Sequence, residues 1–197
     1  MKKKIIRGLF VMVFFLTPFI LLRSFLFGVT SDVNKLISPK KSIYDISAKL
    51  LNGNTVRLEQ FIGKKILLVN VASNCGYTYQ YEQLQKLHEN YGDKVYVVAF
   101  PSNDFGFQEP GSDNEIKEFC ETNYGITFTM FSKIKVIGKN KHPIYEWLSN
   151  PKLNGWNKQG PTWNFCKYLI DKEGKLVRFY NSNIKPMSDE IINDINS

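Results

Sequence analysis

The chain has 197 residues, 43% of them apolar, enough for one domain with a sizeable core. Its net charge of +8 is concentrated: residues 1–41 hold eight Lys and Arg against one Asp, leaving +1 on the remainder. A basic leader on a nearly neutral body argues against a nucleic-acid binder, and three cysteines are too few and too odd for a disulfide-stapled secreted domain.

The leader, residues 1–41, begins "MKKKIIRGLFVMVFFLTPFILLRSFLFG". A positive start precedes an apolar run from Gly8 to Leu22, interrupted by Pro18 and closed by Arg23. About 15 residues suit the core of a signal peptide better than a membrane span of roughly 20, although continuing to Phe27 would allow an uncleaved anchor and membrane contact. "FGVTS" is a weak cleavage site, and Ser31 to Lys41 is polar and basic, as an onward transit segment would be. Abundant Lys, Asn and Ile suggest an AT-rich genome. The expected destination is an organelle reached through the secretory pathway, such as a secondary plastid, with the cytoplasm as the alternative.

From residue 42 to 197 a single domain is expected. "SIYDISAKLLNGNTVRL" places two short apolar stretches around Asn52-Gly53-Asn54, a β-hairpin signal, and "EQFIGKK" a brief turn or helix. "ILLVNVAS" is almost continuously apolar, as a strand buried on both faces would be. Leu84, Leu87 and Tyr91 share one face of a helix over Tyr79 to Tyr91, and "KVYVVAF" is a second buried strand ending at Pro101. Ser112 with Glu115 forms a capping box, so "SDNEIKEFCETNYG" is a helix closed by Gly125. A short segment around Thr129–Val136 precedes a helix in "PIYEWLSN". "KYLIDKEGKLVRFY" is a hairpin turning at Glu173-Gly174, and Ser188 to Ile195 is a last helix. Strands alternating with helices, then a hairpin and a helix, describe an α/β domain with a central mixed sheet. The cysteine placed between a buried strand and a helix favours the thioredoxin-like fold among those the alternation allows.

That cysteine, Cys75, sits in "ASNCGYT", polar and turn-rich, at the expected head of a helix. There the partial positive charge of unpaired N–H groups favours a thiolate nucleophile; the plainer alternative is a small buried hydrophobe. No C-x-x-C pair exists, and His88 and His142 have neither ligand spacing nor a protease context. A thiolate attacking an O–O bond needs neutral hydrogen-bond donors to hold the sulfur charge and protonate the departing oxygen. Amide and indole donors occur in "FPSNDFGFQEPGS" and "WNF".

In order and spacing, "NVASNCGYT", "FPSNDFGFQEPG" and "WNF" resemble the glutathione peroxidase family, with the likeness running roughly from Ile43 to Ile192. The resemblance implies a catalytic tetrad of Cys75, Gln108, Trp163 and Asn164, with no cofactor and no metal. It also implies that Cys120 is the resolving cysteine of the non-animal, two-cysteine type. Peroxide would convert Cys75 to a sulfenic acid, Cys120 would condense with it to a disulfide, and thioredoxin or a related redoxin would reduce that disulfide. Substrates would be hydrogen peroxide and organic or lipid hydroperoxides. Ser102 stands where many relatives have cysteine, and no long assembly loop lies between Tyr124 and Trp163, which implies a monomer. Cys166 is expected to be a packed strand thiol. A peroxiredoxin would need P-x-x-x-T-x-x-C, absent from "LVNVASNC". The alternatives left open are a glutathione-dependent peroxidase and a peroxide sensor that passes oxidation to client proteins. Because a disulfide needs Cα atoms within about 7 Å, the helix carrying Cys120 is expected to unwind during turnover.

Overall fold

A computed structural model describes residues 29–31 and 41–197. Its centre is formed by β4 (Lys65–Val71) and β5 (Val95–Pro101), parallel neighbours of seven residues each in almost continuously buried runs. Side chains alternate along them. Leu67, Val69 and Val71 join Val95, Val97 and Ala99 in one core, while Ile66 and Leu68 join Val98 and Phe100 in the other. A sheet buried on both faces needs cover on both, and the remaining elements supply it.

The full sheet runs β1 (Val29–Ser31), β8 (Leu176–Tyr180), β7 (Lys167–Ile170), β4, β5, β6 (Thr129–Met130). β7 and β8 form the antiparallel hairpin read from "KYLIDKEGKLVRFY", with a register shift between Leu169 and Ile170. The N-terminal hairpin, β2 (Ser47–Lys49) with β3 (Thr55–Arg57), is a separate two-stranded sheet. Leu50 bridges it to Phe131, and Ser132 N–H donates to the Lys49 carbonyl at 2.7 Å.

One core face is covered by α1 (Gln80–Tyr91), α2 (Asp113–Tyr124) and α5 (Asp189–Asn196), through Leu84 and Leu87, Ile116 and Cys120, and Ile191 and Ile195. The other face takes α3 (Pro143–Leu148), with Tyr145 and Trp147 fully buried, and the 3-10 turns Ile43–Asp45 and Leu58–Phe61. Pro151–Asn154 forms a short α4 that the sequence pattern did not signal. The molecule is an α/β domain of thioredoxin-like fold with its expected hairpin in place.

The capping box at the start of α2 is present in both directions. Ser112 Oγ accepts the Glu115 N–H at 3.4 Å, and Glu115 Oε2 accepts the Ser112 N–H at 2.7 Å. At the other end Gly125 adopts φ 58°, and its N–H and that of Ile126 return to the carbonyls of Glu121 and Cys120 at 3.0 and 3.3 Å. Ser112→Ala should therefore lower global stability by about 1 kcal/mol, read as a shifted midpoint in urea denaturation at unchanged slope. An unshifted midpoint would show that the cap contributes nothing.

β1 lies within the segment assigned to the leader: Val29, Thr30 and Ser31 pair antiparallel with Tyr180, Phe179 and Arg178. The signal and anchor reading of the rest of residues 1–41 lies outside the described residues. Among the described residues no helix is long and apolar enough to cross a membrane.

Candidate active site

Cys75 occupies the connection from β4 to α1 and is 8% exposed. The expected helix begins only at Gln80, so the cysteine stands ahead of it in a stack of turns. Thr78 N–H donates to the Cys75 carbonyl at 3.0 Å, Gln80 to Tyr77 at 2.9 Å, and Tyr81 to Thr78 at 3.0 Å. The donor to sulfur is therefore a single turn amide, the Tyr77 N–H at 3.4 Å, rather than the mouth of a regular helix. Thr78 fixes the turn: its hydroxyl accepts the Cys75 N–H at 3.0 Å and lies 2.9 and 2.7 Å from the carbonyls of Ala72 and Cys75.

Gln108 reaches this loop through its main chain, because Asn74 N–H donates to the Gln108 carbonyl at 3.0 Å. Its side chain is held from the other side: Asn164 Nδ2 donates to Gln108 Oε1 at 3.0 Å. Gln108 Nε2 is thereby pointed away from that bond as a donor, and the Asn164 side chain, fully buried, keeps an Oδ1 with no partner. Asn164 has little freedom to move. Asn70 on β4 grips the residues on either side of it, donating Nδ2 to the Trp163 carbonyl at 2.9 Å and accepting the Phe165 N–H at 2.6 Å.

Among the described residues two non-glycine residues have left-handed backbone, and each adjoins one of these amides: Phe107 at φ 55° and Phe165 at φ 65°. Such a conformation costs about 1 kcal/mol or more per residue and persists where surrounding contacts enforce it. Phe165 is anchored by an edge-on contact with the Tyr81 ring at 5.4 Å. Phe107 follows Gly106, itself at φ 62°, and this pair turns the chain sharply into Gln108. Trp163, 38% exposed, packs on Phe105 at 5.7 Å. A Cβ placed on Gly106 would come within 3.5 Å of the Trp163 ring and 3.6 Å of the Gln108 amide, so the indole and the amide flank the same glycine.

Cys120 is apart from this group, on the inner face of α2 and 1% exposed. Burial pushes its thiol up to about 12, and the charge of Glu109 adds to the effect. The Tyr81 hydroxyl lies against it without a hydrogen bond of normal geometry to any group. Cys75, Cys120 and Cys166 are all free thiols. Cys166 is packed on β7's approach, its sulfur 3.5 Å from Ser182 Oγ and 3.6 Å from Thr162 Oγ1. His142 Nδ1 caps α3 by accepting the Ile144 N–H at 3.2 Å, and His88 packs on Phe128.

Three distant segments, the Cys75 loop, the Gln108 turn and Trp163–Asn164, are thus tied together, and comparison with known proteins says which family such a chain belongs to. Residues 43–149 match the family model described as glutathione peroxidase. The chain belongs to the glutathione peroxidase family. It is 47% identical over 162 residues to the "hydroperoxy fatty acid reductase gpx1" of Synechocystis, covering 78% of this chain and 94% of that one. It is 45% identical over 148 residues to the "glutathione peroxidase-like peroxiredoxin 2" of Saccharomyces cerevisiae, covering 75% and 91%. The crystal structure of T. cruzi GPX1 superposes with a TM-score of 0.58 at 32% identity, over 78% of this chain and 93% of that one. A member of this family is an oxidoreductase acting on peroxides, and this chain is a thiol peroxidase that reduces hydroperoxides.

Two buried polar residues make structural ties that sequence reasoning did not assign, although Asn70 opens the motif "NVASNCGYT". Asn70 is the one polar residue in the apolar run "ILLVNVA", and that interruption was the available signal. Lys167 similarly opens an otherwise apolar strand. It is fully buried, with Nζ 2.5 Å from Gln80 Oε1, 3.4 Å from the Ser182 carbonyl and also bonded to the Ile184 carbonyl. Gln80 in turn donates to the Ser182 carbonyl at 2.7 Å, so the first residue of α1 is tied to the β8–α5 connection beneath Cys75's loop. Burial draws the Lys167 ammonium down to about 7, while three oxygen acceptors favour the charged form.

Proposed function

We propose that this peroxidase works through Cys75 as nucleophile, with Gln108, Trp163 and Asn164 as its neutral donors and Cys120 as its resolving thiol. The Cys75 thiolate attacks the peroxide, the O–O bond breaks, sulfur becomes a sulfenic acid, and the departing alkoxide or hydroxide takes a proton. Cys120 then attacks the sulfenic sulfur, a disulfide forms and water leaves. A thioredoxin-type dithiol returns both cysteines to thiols by exchange.

The observation that carries this reading is the clamped amide pair. Asn164 and Gln108 are bonded to each other at 3.0 Å and tied to the residue preceding Cys75, and the buried Asn164 Oδ1 has no partner. A buried acceptor left unpaired costs about 1–3 kcal/mol, which suits a position meant for a group that arrives with its own O–H or S–H. A hydroperoxide brings such a group. The neutral sequence around Cys75, and a thiol on a neighbouring helix, favour a protein dithiol over the anionic glutathione as reductant. The peroxiredoxin names of the yeast relatives fit that choice, and the Synechocystis relative's name supports fatty acyl hydroperoxides as substrates beside hydrogen peroxide. The enzyme acts as a monomer, to be checked by sedimentation equilibrium. Its leader delivers it through the secretory route to an organelle, to be checked by imaging a C-terminal tag and sequencing the mature N-terminus.

With NADPH, thioredoxin reductase and thioredoxin, the purified protein should consume peroxide over many turnovers, and replacing thioredoxin by glutathione should slow it by at least about tenfold. A single stoichiometric oxidation, followed by transfer of the disulfide to other proteins, would support a peroxide relay instead. Faster turnover with glutathione would overturn the choice of reductant.

A further inference from the structure

Glu109 directly follows Gln108, yet the tetrad makes no use of it. Its side chain is 1% exposed, and Oε2 has no hydrogen-bond partner among the described residues. Its main chain is fixed: the N–H donates to Asn103 Oδ1 at 2.9 Å, and the carbonyl accepts Lys133 Nζ at 3.1 Å. Lys133 spends its ammonium on carbonyls, adding those of Pro110 and Gly111, so it does not ion-pair with the Glu109 carboxyl.

The carboxyl borders a cavity of about 190 Å³ between the Cys75 loop and α2, lined by Ser73, Asn74, Glu109, Ile116 and Phe119 among others. Asn74 and Phe119 immediately precede Cys75 and Cys120, so the cavity is bordered by the residue before each thiol. Ser73 Oγ, on the same wall, is also buried, and its hydroxyl and N–H face the Glu109 carboxyl, opposing part of the effect of burial on it. Because the Asn74 N–H holds the Gln108 carbonyl, Glu109 stays with the Cys75 loop when α2 moves.

We propose that Glu109 is the proton carrier of the resolving step, passing the Cys120 thiol proton to the hydroxyl that leaves the Cys75 sulfenic acid. This rests on the two-cysteine cycle proposed above and adds a named group to it. The sulfur–sulfur bond forms as the sulfur–oxygen bond breaks. Cys120 sulfur is oxidised and Cys75 sulfur reduced. One carboxyl oxygen gives its proton to the departing hydroxyl, making water, while the other accepts the thiol proton, so Glu109 ends as it began. Without such a carrier, attack would require the free thiolate of Cys120 and expulsion of hydroxide, both unfavourable at neutral pH.

Burial raises the carboxyl's affinity for its proton, so the acid form persists to higher pH than in a free glutamate. The groups facing it are Ser73 on the Cys75 loop, Tyr81 on α1, Glu115 and Cys120 on α2, and Lys133 after β6. Its charge is felt by both Tyr81 and Cys120.

The test separates the two chemical steps after a single pulse of hydrogen peroxide. Sulfenic acid is trapped with a dimedone-type reagent, and disulfide is followed by mass, each across pH. Glu109→Gln should slow disulfide formation by roughly 10²-fold at neutral pH, with an effect on Cys75 oxidation smaller by at least about tenfold. Its resolution rate should rise steadily with pH as Cys120 ionises, where the wild type loses rate once Glu109 gives up its proton. Glu109→Asp, which keeps the acid, should recover part of the rate and the wild-type shape of the profile. Glu109→Gln resolving at the wild-type rate would overturn the proposal. Equal slowing in both variants with an unchanged pH profile would also overturn it, by reducing Glu109 to a packing role. A wild-type chain that accumulates sulfenic acid and never forms the disulfide would overturn the two-cysteine cycle itself.

Discussion

Cys75→Ser is expected to abolish peroxide consumption, lowering it by at least about 10³-fold, because a serine hydroxyl at this position has no base to ionise it. The substitution is close to a pure test of chemistry. The sulfur accepts one backbone N–H, from Tyr77 at 3.4 Å, and an oxygen can accept the same bond. The turn around it is held by Thr78 and by Asn74, through hydrogen bonds that do not involve the sulfur. Circular dichroism and the urea midpoint should therefore match wild type while catalytic peroxide loss disappears. Peroxide consumption that survives this change would remove Cys75 from the reaction, and with it every role assigned to the amides around it.

Cys120→Ser should split the cycle. One equivalent of peroxide per chain should still be consumed, but thioredoxin-driven turnover should fall by about 10²-fold or more. The proposed disulfide would require α2 to change. Cys120 lies in a helix capped at both ends, packed inward, with a thiol pushed up to about 12. At neutral pH it is buried and protonated, neither of which suits attack. Local melting of α2 would relieve both conditions, since an exposed thiol returns to about 8.5. Amide hydrogen exchange across 113–124 should accordingly rise in the disulfide form, and protection that stays at the reduced level would refute the unwinding. The same thiol predicts a pH effect on stability. The folded chain keeps the proton up to about 12 and the unfolded chain loses it near 8.5. Stability contributed by the buried thiol is thus complete below about 8.5 and declines as pH rises from there toward 12. Cys120→Ser should flatten that decline in denaturation midpoints measured from pH 8 to 11.

Much of the scaffold was legible because its signals are local. The almost continuous apolar runs marked β4 and β5, the Ser112–Glu115 spacing the start of α2, and Gly125 its end. The tetrad segments were legible as motifs. What the sequence could not display was how far apart the residues are that hold them. Asn70 steadies Asn164 through bonds to residues 93 and 95 positions later, and Lys167 bonds Gln80 across 87. Neither pairing leaves a periodicity to detect. The helix expected from Tyr79 begins at Gln80, and "GYTY" separates it from Cys75. That stretch forms turns because the Thr78 hydroxyl satisfies backbone groups that a helix would otherwise have paired. Glu109 read as a motif residue, and its burial leaves no local signal in the sequence.

The three residues of β1 have a bearing on how the chain can be processed. They occupy the outer side of β8, and among the described residues nothing else in the sheet order does. Trimming the N-terminus beyond Ser31 would strip that side of its pairing and leave a row of unanswered amides and carbonyls open to a strand from another molecule. Cutting before Val29 would spare the protein that hazard, so the safest scissile bonds lie close behind the greasy segment and well short of residue 41.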